Sequence, residues 1–174
     1  MFIRASMEVY PRLHHISLGA TSRYAIVAEN GEITLTDPGS SAHVPALDER
    51  LSRSGLSLSR VVRVLVTHLD ADRVGAIPAL RERLPKLKVL GTAAMEATLK
   101  KSDFVEELVE FDAAISASLG CSGDHPLSRE TLRKSLRFDK HLVDGESVTI
   151  DEDIIVRCVA SPGHREHSLS YLVQ

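Results

Sequence analysis

One stretch near the middle of the chain constrains the fold most, because an apolar run ends there in a cluster of polar side chains. Residues 64–66 are apolar and rich in β-branched side chains, which is typical of a buried strand. The loop that follows carries His68, Asp70, Asp72 and Arg73, and a helical pattern comes next. Sites of α/β proteins lie where strands end in this way. If the backbone stays extended, its period of two turns His68, Asp70 and Asp72 to one side, where their donor atoms can close on a cation.

Strand and helix signals alternate along much of the chain, which predicts a layered α/β fold. We expect a single domain over residues 1–174, a length that can bury a sizeable core. Its mixed sheet should have about seven to nine strands, with helices on the outer face. Strand signals lie at 13–19, 24–29, 32–37, 64–66, 87–91, 148–150 and 154–159, and helix signals at 44–54 and 93–99. Asn30-Gly31 predicts a hairpin turn between the second and third strands.

Residues 102–139 differ in character and read as a helical insertion. Apolar residues at helical spacing mark two helices, one through Phe104, Leu108 and Phe111 and one through Leu132, Leu136 and Phe138. The stretch between them, residues 120–126, has the composition of a loop. Two alternatives remain for this insertion. It is a lid over the site, or it is a packing element without contact to the site.

Two further motifs flank the central stretch. A strand ends in Asp37-Pro38-Gly39, and the strand at 154–159 is followed by Pro162-Gly163-His164. Each feature also has a purely structural interpretation. Asp37-Pro38-Gly39 is a common turn sequence, and Asp72 suits the N-cap of the next helix. His68 and His164 could be a core histidine and a turn residue, but their shared motif context favours a site.

Together these motifs resemble those of the metallo-β-lactamase superfamily, whose central loop reads Thr-His-x-His-x-Asp-His-x-Gly-Gly. Four positions match, namely Thr67, His68, Asp72 and Gly75. Three depart, with Asp70 and Arg73 in place of two histidines and Ala76 in place of a glycine. The Asp-Pro-Gly and Pro-Gly-His motifs are the second and third matches. The resemblance runs from residue 13 to the end of the chain, apart from the insertion.

The resemblance implies an αβ/βα sandwich, of which this chain would supply the N-terminal half with its insertion. The sequence ends at Gln174, on the strand after Pro-Gly-His. In the family a bridging Asp and a final His lie further along, so we expect the domain to be C-terminally incomplete. A sheet without its second half exposes an apolar face, and such faces mark interfaces. We therefore expect a homo-oligomer, in particular a two-fold homodimer.

The resemblance also implies a metal site with a degenerate second half. Its first set of ligands would be His68, Asp70 and His164, because two imidazoles and a carboxylate suit zinc or non-haem iron. The second set would keep Asp72, to which we also assign a catalytic role. Arg73 cannot ligate a metal, since a guanidinium has no lone pair to offer. We therefore expect zinc or iron, with at most one metal per chain.

Three functions are consistent with this motif set. The first is hydrolysis by a metal hydroxide of a small-molecule ester, lactone, thioester or phosphoester. The second is a catalytically silent relative that serves in binding or assembly. The third is a diiron protein of flavodiiron type that handles oxygen or NO, which would need more ligands than the chain offers. In this family loops, rather than these motifs, set the substrate.

The remaining donors show no ligand spacing, with His167 as the exception because it lies three residues after His164. We expect the others at the surface or in local packing: His14, His15, His43, His125 and His141. Cys121 and Cys158 are expected to be a loop thiol and a small core residue.

Composition excludes several classes of protein. A formal net charge of −3 with interspersed signs, and no basic stripe, argues against nucleic-acid binding. The apolar runs are too short to cross a membrane, and no signal-peptide pattern opens the chain. Two cysteines outside any Cys-x-x-Cys pair favour a reducing cytoplasm.

We expect Arg73 to neutralise the carboxylates of the central loop. Asp70, Asp72 and Asp37 should lie close together, and clustered carboxylates repel one another unless a cation intervenes. We expect the Arg73 guanidinium to supply that charge through bonds to Asp72 or a neighbouring carboxylate. The alternative is that Arg73 points into solvent.

Overall fold

A seven-stranded mixed sheet runs through the centre of the computed structural model, which describes residues 6–18, 21–120 and 126–174. Its strands follow one another in spatial order: β1 (Met7–Tyr10), β2 (Leu13–Leu18), β3 (Thr21–Val27), β4 (Ile33–Thr36), β5 (Val61–Leu65), β6 (Lys88–Gly91) and β7 (Lys140–His141). The first four strands pair antiparallel, and the pairs from β4 to β7 are parallel. The predicted α/β fold with a mixed sheet is confirmed.

The last three strands form a separate antiparallel sheet in the order β10-β9-β8. They are β8 (Ser147–Thr149), β9 (Ile155–Ala160) and β10 (Leu169–Val173). The mixed sheet of seven strands is within the expected seven to nine, and β8 to β10 form a second sheet that the sequence did not predict. The two sheets meet where the Leu169 amide donates to the Thr67 carbonyl at 2.8 Å and the Tyr171 hydroxyl donates to the Val66 carbonyl at 2.7 Å.

Six helices of the described residues cover the sheets: α1 (Val44–Arg53), α2 (Ala71–Val74), α3 (Ile77–Arg83), α4 (Ala93–Thr98), α5 (Ser102–Ser118) and α6 (Arg129–Ser135). Short 3-10 turns at Ser41–His43 and Leu58–Arg60 precede α1 and β5. The α1 helix buries Val44, Leu47 and Leu51, which share one helical face. None of the described helices combines the length and apolar character that crossing a bilayer requires.

The core lies between the central strands and these helices. Val64, Leu65 and Val66 are fully buried, as expected of parallel strands covered on both faces. The predicted hairpin turn is present, because the Gly31 amide donates to the Ala28 carbonyl at 2.8 Å and Gly31 has a φ of +79°, which glycine adopts without strain.

Helix α5 is anchored by a buried carboxylate. Asp112, which is 2% exposed, accepts from the Ser41 amide at 2.9 Å and from the Ser41 hydroxyl. A side chain at Gly75 would place its Cβ 2.5 Å from Asp112 Oδ1, so glycine lets α5 approach α2. Most of the predicted loop at 120–126 lies outside the described residues, because residues 121–125, with Cys121 and His125, are not among them.

An apolar groove of about 770 Å³ lies between the two sheets on the side of β1 and β10. Val9, Tyr10 and Tyr24 line it and are 49%, 70% and 41% exposed. The predicted homo-oligomer would bury such a surface.

Replacing Asp112 by Ala should lower the free energy of unfolding by about 2 kcal/mol, because the buried Ser41 amide loses its acceptor. Denaturant unfolding measures this loss. Glu110→Ala is the matched control, since Glu110 is exposed on the same helix, and it should change stability by less than about 0.5 kcal/mol. Equal losses in the two variants would contradict the anchoring role of Asp112.

The homo-oligomer can be checked by light scattering over a wide concentration range. We expect a two-fold dimer, and Tyr10→Asp should shift it toward monomer because a charge in the groove opposes burial. A wild-type protein that stays monomeric at every concentration would count against self-association.

Candidate metal centre

His68, Asp70 and His164 come together from two loops. One donor atom of each lies within 4.8 Å of the others. Asp70 Oδ2 is 2.7 Å from His164 Nε2 and 3.4 Å from His68 Nε2, and the two imidazole rings meet edge to face at 5.2 Å. The side chains of His68 and Asp70 are 16% and 21% exposed, whereas that of His164 is 67% exposed. The cluster is therefore open to solvent on the His164 side.

Local backbone geometry explains why these side chains converge. Asp70 has an extended backbone, with φ −106° and ψ 151°, at the N-cap of α2. The Asp70 side chain makes no capping bond and is free to face the cluster. His164 lies in the turn between β9 and β10, and the bond from Leu169 to Thr67 holds that turn beside the central loop.

Asp72 does not join this group. Helix α2 begins at Ala71, so the period of two ends at Asp70 and Asp72 lies in the first helical turn. The expectation that His68, Asp70 and Asp72 point to one side therefore fails for Asp72. The N-cap alternative for Asp72 is also wrong, because Asp70 occupies that position. His167 stands outside the group as well, with its Nε2 3.8 Å from Glu166 Oε2.

A buried carboxylate sets the orientation of His68. Asp37, which is 4% exposed, accepts from the Thr67 amide at 2.8 Å and from the Thr67 hydroxyl at 2.6 Å. Because a carboxylate only accepts, the Thr67 oxygen is left to accept from His68 Nδ1 at 2.8 Å. Burial raises the pKa of Asp37, and the two Thr67 donors oppose that shift. This series of hydrogen bonds orients the imidazole so that Nε2 of His68 faces the cluster.

Arg165 is the main functional residue that the motifs did not reveal. Its Nε donates to Asp70 Oδ1 at 2.7 Å, and its Nη2 donates to Glu107 Oε1 of α5 at 3.3 Å. Its guanidinium also lies over the Phe104 ring at 5.7 Å. Hydrogen bonds from His68, and further ones from His164 and Arg165, hold the pKa of Asp70 well below its usual range despite partial burial. The one sequence signal for Arg165 is its place directly after His164.

Arg73 lies beside Asp72, as expected. Its Nε is 3.5 Å from Asp72 Oδ2, and its side chain is 24% exposed, so it does not point freely into solvent. The contact is an ion pair, since Nε has no hydrogen-bond partner. A second guanidinium was not foreseen. Arg23 is fully buried, donates to the Asp72 carbonyl at 2.6 Å and also bonds Thr21.

The three clustered donors fit a divalent metal ion. Two imidazoles and one carboxylate, with an exposed side left for a fourth ligand, are a common set for zinc and for non-haem iron. The bond from Thr67 fixes the ring of His68, and the bond from Arg165 occupies the Asp70 oxygen that faces away from His164. Among the described residues this is the one group of three such donors within that distance.

Two cavities adjoin the cluster. The larger, of about 520 Å³, touches Asp70 and His164, and the smaller, of about 250 Å³, touches His68. Arg165 borders both. Helix α5 lines the larger cavity, and its Glu107 accepts a hydrogen bond from Arg165, so this part of the insertion contacts the site.

Residues 18–171 match the family model of the metallo-beta-lactamase superfamily. The chain belongs to this superfamily. A metallo-beta-lactamase type 2 of Bacillus sp. (strain 170) is 30% identical over 112 residues, which are 61% of this chain and 42% of the relative. A hydroxyacylglutathione hydrolase of Stenotrophomonas maltophilia (strain R551-3) is 34% identical over 67 residues, 38% of this chain and 24% of the relative.

Solved structures of the superfamily share the fold. The Cronobacter sakazakii metallo-beta-lactamase with a HARLDQ motif aligns with a TM-score of 0.71 at 17% identity, over 98% of this chain and 60% of that one. The chain thus spans less than half the length of these two curated relatives and 60% of the Cronobacter protein. The six-residue HARLDQ motif of that protein begins with His and has Asp in the fifth position. The six residues from His68 to Arg73 share these two features, with Asp72 in the fifth position.

His43 at the edge of the larger cavity should make stability depend on pH. Burial, together with the Arg23 guanidinium, lowers the pKa of His43 from 6.5 to about 4, and its Nδ1 accepts from the Ser40 amide at 3.2 Å. The unfolded chain therefore protonates at higher pH than the folded one. This contribution is complete above pH 6.5 and is lost as the pH falls to 4, by on the order of 3 kcal/mol.

His43→Asn keeps an acceptor near Ser40 but cannot titrate. We expect its free energy of unfolding, measured by denaturant at a series of pH values, to fall less steeply than that of the wild type between pH 6.5 and 4. Parallel curves for the two proteins would show that His43 does not carry this dependence.

Proposed function

We propose that this chain carries the centre of a metal-dependent hydrolase that cleaves a small-molecule ester, lactone, thioester or phosphoester. The observation that carries the proposal is the convergence of His68, Asp70 and His164 beside a cavity of about 520 Å³. That volume is in the range of small-molecule sites. The hydroxyacylglutathione hydrolase among the relatives supports a hydrolase by its name.

The residues of the cluster have distinct roles in this proposal. His68 and His164 offer imidazole lone pairs, and Asp70 offers a carboxylate oxygen and a negative charge. A divalent zinc or iron ion held there would supply Lewis acidity toward a carbonyl or phosphoryl oxygen and would activate water. Arg165 keeps the Asp70 carboxylate in one orientation, since it holds Oδ1 at 2.7 Å.

Asp72 is our candidate for the proton acceptor. Its side chain is 25% exposed and lines the larger cavity, outside the three-donor group. The Arg73 guanidinium lies 3.5 Å from this carboxylate, which can accept a proton from water or hold it for a leaving group.

A catalytically silent binding module is the second candidate, and one observation favours it. Asp70 is already paired with His164 and with Arg165, each at 2.7 Å, so its charge is compensated without a metal. The flavodiiron alternative has less support, because it asks for two metal ions where the described residues gather three donors.

Zinc binding separates these candidates. We expect at most one tightly bound zinc per chain, measured by elemental analysis after loading and dialysis. Asp70→Asn and His164→Ala should weaken zinc binding by more than about 100-fold, the upper end of what loss of a supporting residue costs. Asp72→Asn should change the affinity by less than about tenfold, since Asp72 lies outside the group.

His141→Ala is the matched control, because His141 is exposed and pairs with Glu96 rather than with the cluster. Its zinc content should equal that of the wild type. Loss of all zinc from the wild type on dialysis would favour the silent module, and two tightly bound ions per chain would refute the single-metal site.

A further inference from the structure

One wall of the larger cavity is an apolar stripe formed by helix α5 and by Leu119 at its C-cap. Leu108, Phe111, Ile115 and Leu119 follow one another at intervals of three, four and four residues, which places them on one helical face. Phe111 is 59% exposed and Leu119 48% exposed, although both are large and apolar. Such side chains around a cavity are typical of a site for an apolar ligand.

We propose that this stripe holds the apolar acyl chain of the substrate, so that the substrate class is a carboxylic ester or thioester with an uncharged chain of several carbons. This inference rests on the proposed hydrolase function and specifies its substrate. The same cavity touches Asp70 and His164. A carbonyl group at the cluster therefore has its acyl chain directed along α5.

Charge in the cavity selects against an anionic chain. Among the described lining residues the one guanidinium, that of Arg165, is already paired with Asp70 and Glu107. A phosphorylated or carboxylated tail would therefore find no free guanidinium along this wall, whereas an alkyl tail gains from leaving water, by about fourfold in affinity for each buried methylene.

The smaller cavity leaves room for the other half of such a substrate. It lies on the His68 side of Arg165, holds about 250 Å³ and includes the polar side chains of Lys101 and His167. A scissile bond at the cluster can thus direct its acyl part to the larger, apolar cavity and a smaller, polar leaving group to this one.

The apolar wall is held in place before any ligand binds. Buried Asp112 ties α5 to Ser41, and Glu107 ties it to Arg165. Because the wall is already ordered, ligand binding spends little free energy on ordering it. Substitutions at its exposed positions should therefore change binding without unfolding the chain.

The test measures kcat/KM of the zinc-loaded protein with the p-nitrophenyl esters of acetate, butyrate and octanoate. We expect octanoate to be preferred over butyrate by about tenfold or more. Phe111→Ala should reduce this preference to less than about threefold while its circular dichroism stays unchanged. Tyr10→Ala is the matched control, since Tyr10 is an exposed aromatic residue that lines the groove near β1 instead, and it should keep the preference.

Binding of methyl heptyl ketone, measured by calorimetry against methyl propyl ketone, gives a second readout that needs no turnover. The heptyl compound should bind more tightly to the wild type and to Tyr10→Ala than to Phe111→Ala. If neither ester nor ketone shows a preference for the longer chain, the acyl-chain inference is wrong even where hydrolysis occurs. If the ketones show the preference and no ester is cleaved, the hydrolase proposal fails while the apolar site stands.

Discussion

The candidate centre depends on the junction between the two sheets. The Leu169 amide donates to the Thr67 carbonyl, and the Tyr171 hydroxyl donates to the Val66 carbonyl. Tyr171 is partly buried, and a hydroxyl withdrawn from water costs free energy unless it is paired. These two bonds fix β10 against the end of β5. The turn that carries His164 is thereby held next to His68, although nearly a hundred residues separate them in sequence.

The same junction explains why Thr67 matters beyond its backbone. Its carbonyl accepts from the Leu169 amide of β10, and its amide and hydroxyl donate to Asp37. Its hydroxyl oxygen also accepts from His68. One residue thus joins the sheet contact, a buried carboxylate and the first histidine of the cluster. Asp37 adopts a φ of +43°, which is uncommon for a residue with a side chain. The turn sequence and the site motif are therefore the same feature, since the turn delivers the carboxylate.

The sequence predicted most elements of the fold, because alternating apolar runs and turn residues report local structure directly. The sequence also predicted that His68 and His164 lie together, because both occur in motifs of the same family. It could not show that α2 begins at Ala71 and removes Asp72 from the group, since a change from extended to helical backbone within a polar loop leaves no periodic signal. Arg165 was missed for a related reason: its partners Asp70 and Glu107 are distant in sequence, and a single charged residue has no pattern.

Charge balance around the loop gives Arg73 and Arg165 a common explanation. Each of the two partly exposed carboxylates has its own guanidinium, Arg165 at 2.7 Å from Asp70 and Arg73 at 3.5 Å from Asp72. Buried Arg23 adds a third positive charge beside Asp72 through its carbonyl. A second metal ion beside Asp72 would therefore meet positive charge that is already present. This charge balance supports the proposals of one metal ion at His68, Asp70 and His164 and of Asp72 as the proton acceptor.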